Sequence, residues 1–316
     1  MAYSAGDPIL DDEYNVFVNS SSDPFGYNHF AGPGSTVYGL NQATISTVSA
    51  GDTIAASHWN SLFTGMDNIA NHLNRSITSS SVSAGDTIAI RSALISDLAN
   101  LAADVAAGGV NVTALGTNAI GTSTNGATWN STSTLERSVT FANNNTMRAF
   151  FNAGGSIRVD PATSGSVDGN KDTVFEELTA AVGNLDIGAH ATTRSGTGET
   201  QTSFASSTGF HDLGTSYTSL LKLTSNNSGY TSDTVEISAK LDAAIGSATV
   251  ITIKMVSLDP AADTTYTSPN TSGVPANPNE APAMQLNIIE EHPTDAQGLA
   301  AAIQSASNAQ VSNSQS

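Results

Sequence analysis

Thr234-Val235-Glu236-Ile237-Ser238-Ala239-Lys240-Leu241 places Val235, Ile237, Ala239 and Leu241 at every second position. This period of two predicts a strand with one buried face, because successive side chains of a pleated strand point to opposite sides. Ile251, Ile253 and Met255 repeat the pattern within Ala248–Leu258. Further strands are expected at Leu185–Thr193 and Ser216–Leu223. Leu135–Ala142 and Met147–Val159 read as two strands joined by a hairpin turn at Asn143-Asn144-Asn145, with a bulge at Gly154-Gly155. In that reading Phe150 and Phe151 point to opposite faces of one strand, and both faces must be covered. Lys171–Val182 predicts one short helix, with Val174, Phe175, Leu178, Ala181 and Val182 on one side. One helix among several antiparallel strands gives the class α+β, with residues 128–258 as an antiparallel, jelly-roll-like β-sandwich.

Upstream the period changes. Val-Ser-Ala-Gly-Asp-Thr-Ile-Ala occurs at Val48–Ala55 and again at Val82–Ala89. After the first copy, Trp59, Leu62, Phe63, Met66, Ile69, Ala70 and Leu73 form one helical stripe; after the second, Ile90, Leu94, Leu98, Leu101, Ala102 and Val105 do the same. Each Ala-Gly-Asp-Thr reads as a turn, with Ser57 or a nearby Thr as helix N-cap. Two copies are too few for a solenoid, so residues 48–109 are expected to form a helical hairpin or to pack against symmetry mates. Residues 1–47 read as an extended aromatic arm, with Tyr14, Val16 and Val18 on one face of a strand. Its Phe17, Phe25, Tyr27 and Phe30 either dock onto a partner or cover the chain's own core. Residues 110–127 read as a linker, and 259–316 as a Pro-rich linker, a strand at Met284–Ile288 and an extended tail with a weak Ala/Gln helix at Ala296–Ala309.

Charge narrows the partners. Charged residues make up 12% of the 316, against roughly 25% in ordinary globular chains. The net charge of −18 with only ten Lys and Arg argues against nucleic acid, whose phosphates are gripped by basic side chains. Cysteine is absent, which removes disulfide frameworks and thiolate metal sites. No basic region followed by an apolar core opens the sequence, and no apolar run approaches a membrane span, so membrane insertion is not expected.

The sequence holds no His-Glu-x-x-His, Gly-x-Ser-x-Gly, P-loop or dinucleotide-binding glycine motif, and no cofactor is expected. Adjacent carboxylates such as Asp11/Asp12, Glu176/Glu177 and Glu290/Glu291 read as solvated surface. Asp168, Asn170 and Asp172 have the alternate-position spacing of a calcium loop. The sixth position is Thr173 where Gly is needed and the twelfth is Thr179 where Glu is needed, so the segment is not an EF-hand. Its other reading is a turn that caps the Lys171 helix, with Asp172 at the positive helix end.

Four segments occur in order: Ile9–Asn15; the Ser-Ala-Gly-Asp-Thr-Ile block followed by His58-Trp59-Asn60; Phe150–Arg158; and Gly209–Tyr217. Together they resemble a group of virion structural or tail-fibre-like proteins of marine tailed phages, notably cyanophages, over about residues 5–258. The resemblance implies a particle component and does not say which part of the particle; with the sparse charge and the missing active-site motifs, the expectation is a non-enzymatic structural protein on the virion exterior. It would be tail, neck or fibre-associated, forming a homo-oligomer (a trimer or higher) and binding other virion proteins. The other readings are a capsid-decorating protein, a receptor protein for host surface glycan, and a subunit of a self-assembling extracellular filament. Trp59, Phe150 and Phe151 join Tyr14, Phe17, Phe25, Tyr27 and Phe30 as candidate assembly residues. Beyond Leu258 the chain departs from that family's pattern.

Overall fold

The computed structural model describes residues 10–22, 25–86, 91–109, 112, 115–126, 129, 131–165, 170–260, 281–294, 299 and 307–315. The chain forms two compact units. One comprises residues 1–116, 142–155 and 292–305; the other comprises 117–141, 156–291 and 306–316.

The first unit is helical. It contains α1 (Asp11–Asn19), α2 (Tyr27–Ala31), α3 (Ala56–His72), α4 (Arg91–Ala106) and α5 (Asn144–Asn152). Tyr14, Phe17 and Val18 lie on the buried side of α1 while Val16 is 40% exposed. The expected strand there is therefore a helix, because 14, 17 and 18 share a helical face and 14, 16 and 18 do not. Leu62, Met66 and Ile69 of α3 and Leu98, Leu101 and Val105 of α4 complete a common core with them.

The turns of the two repeat copies, residues 49–52 and 83–86, fold alike. Ser49 and Ser83 amides donate to the carboxylates of Asp52 and Asp86 at 3.0 and 2.7 Å, and the Asp amides donate back to the Ser carbonyls. The glycines within, Gly51 and Gly85, have φ of +90° and +95°, which favours Gly. An asparagine from an earlier helix clamps each repeat. The Asn15 amide bonds the backbone of Val48 in both directions at 2.8 and 2.9 Å, and Asn60 does the same to Val82 at 2.9 and 2.8 Å. A side-chain amide thus stands in for a strand partner. Asn60→Ala removes two bonds that Val82 makes in a partly buried site. The expected loss is about 1–3 kcal/mol in urea unfolding, and a variant as stable as the parent would show that the clamp adds nothing. The N-cap of α3 is Ala55 rather than Ser57 or Thr, its free amide taken by His58 Nδ1 at 3.2 Å.

The expected hairpin at 143–145 is replaced by α5, and its residues 147–152 are helical. The Asn143 side chain accepts from the Thr146 amide at 2.9 Å, which makes it a helix cap. Gly154 (φ +90°) donates to Phe151 O and Gly155 to Phe150 O, closing the helix in a Schellman turn rather than a bulge. Helix α5 belongs to the first unit, tied to the 33–39 loop by Arg148 Nη1 to Pro33 O at 2.8 Å and Asn152 Nδ2 to Gly39 O at 3.1 Å.

The second unit is an α+β sandwich-like fold. One sheet has the order β1 (Leu115–Thr124), β10 (Ala283–Pro293), β3 (Ser156–Ser164), β4 (Leu185–Ile187) and β5 (Thr192–Arg194). The other runs β11 (Ser307–Gln315), β2 (Ser131–Thr140), β9 (Val250–Asp259), β8 (Thr234–Leu241), β7 (Thr218–Thr224) and β6 (Thr200–Phe204). Val235, Ile237, Ala239 and Leu241 face Ser257, Met255, Ile253 and Ile251 across β8–β9, and this face is buried. Ile157 and Val159 with Leu286 and Ile288 build the buried face of the other sheet. Helix α6 (Asn170–Val182) packs on β3 of one sheet and on β7 and β8 of the other. Its Phe175 ring lies 4.9 Å from Trp129, whose indole N–H donates to Pro282 O at 2.8 Å.

Three further expectations are corrected here. The 110–127 linker contains strand β1. The 185–193 strand is a hairpin of β4 and β5. The end of the weak helix, 307–309, is strand β11, while most of 296–306, like 261–280, lies outside the described residues.

Candidate functional site

The aromatic residues expected at an assembly surface are spent inside the chain's own fold. Tyr14, Phe30, Phe150 and Phe151 are wholly buried, and Phe17, Tyr27 and Trp59 are 5% exposed or less. Tyr14 meets Trp59 edge-on at 5.2 Å, and Trp59 stacks on Phe63 at 5.9 Å. Phe25 is half-buried, stacked on His29 at 4.7 Å. Composition alone left two fates for these rings, and the structure gives them the interior one. Apart from the half-buried Phe25, their area is not available to a neighbour.

What the second unit offers a neighbour is sheet edge and sheet face. Its edge strands are β1, β5, β6 and β11. Only the three-residue β5 carries a charge, Arg194; the ten residues of β1 and nine of β11 contain neither charge nor proline. In β1 only Ile120 and Ser123 are buried, and Leu115 is 45% exposed. Edges of soluble proteins are commonly blunted by Lys, Pro or shortness, since unpaired N–H and C=O groups template pairing with another chain. The two long edges here lack Lys and Pro.

The outward face of the six-stranded sheet gathers three of the chain's four lysines, Lys222, Lys240 and Lys254. Lys254 Nζ lies 3.8 Å and Lys240 Nζ 4.5 Å from the Tyr217 ring centroid. Burial, and then the Glu136 carboxylate beside it, raise the Tyr217 hydroxyl above its ordinary pKa. Lys222 pairs with Glu236 at 3.4 Å. The face is therefore near charge balance and rich in donors. Tyr217 ends the Gly209–Tyr217 segment, whose short 3₁₀ turn at Phe210–Asp212 seats on residues 188–189: Phe210 N donates to Gly188 O and His211 N to Ala189 O. A Cβ on Gly209 would sit 2.5 Å from the His190 amide nitrogen, so Gly is required by close approach.

A second cluster is sealed inside. Lys171, in the first turn of α6, places Nζ 2.6 Å from Asp259 Oδ2 at the end of β9, with side chains 8% and 0% exposed. The β8–β9 register, whose outermost pair is Thr234 with Leu258, brings Asp233 to the position adjoining Asp259. Asp233 is wholly buried, and neither carboxylate oxygen has a hydrogen-bond partner. Burial, and then repulsion from Asp259, push its pKa up to about 7 against the opposing pull of Lys171. The group can trade a proton, but it presents nothing to a substrate. No sequence motif announced it, since its members lie 62 and 26 residues apart (233 − 171 and 259 − 233).

Of the calcium candidates, Asp168 and the Asn170 side chain lie outside the described residues, and Asp172 is buried at the start of α6. Among the described residues no group of three or more His, Asp or Glu is arranged to hold a metal, and no helix is long and apolar enough to cross a membrane. No family model, curated protein or solved structure matches the chain.

Proposed function

We propose that this chain is a non-enzymatic structural component of a tailed-phage virion, tail, neck or fibre-associated on the particle exterior. It works by assembling with copies of itself and attaching to other virion proteins. The observation that carries this reading is the pair of long sheet edges, β1 and β11, left without charge or proline in a chain of net charge −18. Such edges invite further strands. The sequence resemblance points the same way, and several of its residues hold the architecture. Asn15 and Asn60 clamp the repeats, Gly154 closes α5, and Gly209 seats the turn before β7.

The test has two arms. Mass spectrometry of purified particles of the source phage should find the chain at a stoichiometry of many copies. The recombinant protein should sediment as an oligomer whose mass falls when β1 receives a charge, as in Ala119→Lys. Absence from intact particles, or a monomer unchanged by that substitution at high concentration, overturns the proposal.

A further inference from the structure

We infer that β11 is an exchangeable strand: in the assembled protein, residues 307–315 of one copy pair with β2 of a neighbouring copy and complete that copy's sheet. The inference rests on the assembly reading above and names its joint.

Strand β11 lies antiparallel along β2 from Ser307 opposite Thr140 to Gln315 opposite Ser133, with one irregularity between Gln310 and Ser312. Its nine residues include only two apolar ones, Ala309 and Val311. In β8, by contrast, four apolar side chains are buried against the core. The backbone ladder of β11 along β2 is the same whichever copy supplies the strand. The acceptor does not depend on it either. Strand β2 is paired along its other edge with β9 over ten positions, and its Leu135 and Val139 are fully buried. An unoccupied β2 would be a preformed ten-residue edge.

Leu299 is buried in the core of the helical unit, and residues 300–306 separate it from β11. Seven residues span up to about 25 Å when extended. Since the same bonds form in both arrangements, concentration decides between them. A strand tethered to its own sheet acts at an effective concentration of about 1 mM. Where copies touch in an assembly, a neighbour's strand competes on equal terms.

The chain contains no cysteine, so introduced thiols are unique. Thr134 and Ser314 are register partners across β2 and β11. Thr134→Cys and Ser314→Cys are made in separate chains, mixed, concentrated to about 1 mM and treated with a short bismaleimide. The double variant is treated in parallel, and both samples are sized before linking. Exchange predicts a species of twice the chain mass in the mixture, increasing with concentration, with the link mapped to 134 and 314; each single variant alone should give none. If the mixture stays unlinked while the double variant closes only on itself, exchange is overturned. An oligomer in that same sample leaves the assembly reading standing, and a monomer removes both.

Discussion

Lys171→Met should destabilise the sandwich unit by about 3–5 kcal/mol, the cost of leaving a buried carboxylate without its partner. Asp259 is wholly buried and its Oδ2 lies 2.6 Å from the Lys171 ammonium. Asp233, also wholly buried, adds a second carboxylate that draws on the charge of the same lysine. Methionine keeps most of the lysine's apolar stem and shape, so the loss measures charge rather than packing. The chain has two tryptophans, and Trp129 lies in the sandwich unit against α6. Its emission in a Trp59→Phe background therefore reports this unit during urea unfolding. The double variant Lys171→Met/Asp259→Leu should recover most of the loss, because replacing both members of a buried pair by apolar groups is often neutral or better. A single variant within about 1 kcal/mol of its parent would mean that water or a proton already shields Asp259.

How much of this was legible beforehand follows from how each segment is held. Strand β8 matches its expected bounds, Thr234–Leu241, because one face is buried and the period of two runs unbroken for eight residues. Helices α3 and α6 were legible for the same reason at period 3.6. Helix α5 was not. Met147, Phe150 and Phe151 do stand at i, i+3 and i+4, but a helix of nine residues gives that spacing no second round in which to repeat, and the same short run reads equally as a strand. The three asparagines before it are equally at home in a turn and at a helix cap, and here Asn143 caps. Strands β1 and β11 were missed because Thr, Ser, Asn and Gly carry no alternation; such strands are held through backbone pairing that leaves no mark on side-chain type. The aromatic arm was visible as aromatic, yet whether Tyr14 or Phe30 faces inward depends on helices α3 and α4, which begin only at residues 56 and 91. The buried Lys171, Asp233 and Asp259 were invisible for a related reason: the β8–β9 register and the start of α6 create their neighbourhood, and no local spacing does.

The same cluster makes stability depend on pH in an unusual direction. A carboxyl whose pKa is raised from 3.8 to about 7 keeps, in the folded state, a proton that the unfolded chain releases. Between about pH 4 and pH 7 the native state therefore binds more protons, and the slope of unfolding free energy against pH is negative. The contribution of Asp233 is neutral below pH 4 and unfavourable above pH 7. The roughly three-unit difference corresponds to about 4 kcal/mol. Asp259 and Lys171 are the charged groups that set this value, and they oppose each other, so the shift survives mainly through burial. Asp233→Asn removes the titration while keeping the shape. Relative to its parent, the variant should gain stability progressively from pH 4 to pH 8. At about 2–4 °C per kcal/mol, the melting temperature of the sandwich unit should rise by about 10 °C at pH 8, with the two proteins converging near pH 4. Thermal scans of both at pH 4, 6 and 8 give the comparison directly. Melting curves that stay parallel across that range would mean that Asp233 is ionised in the fold at neutral pH, held by the Lys171 ammonium more strongly than burial opposes it.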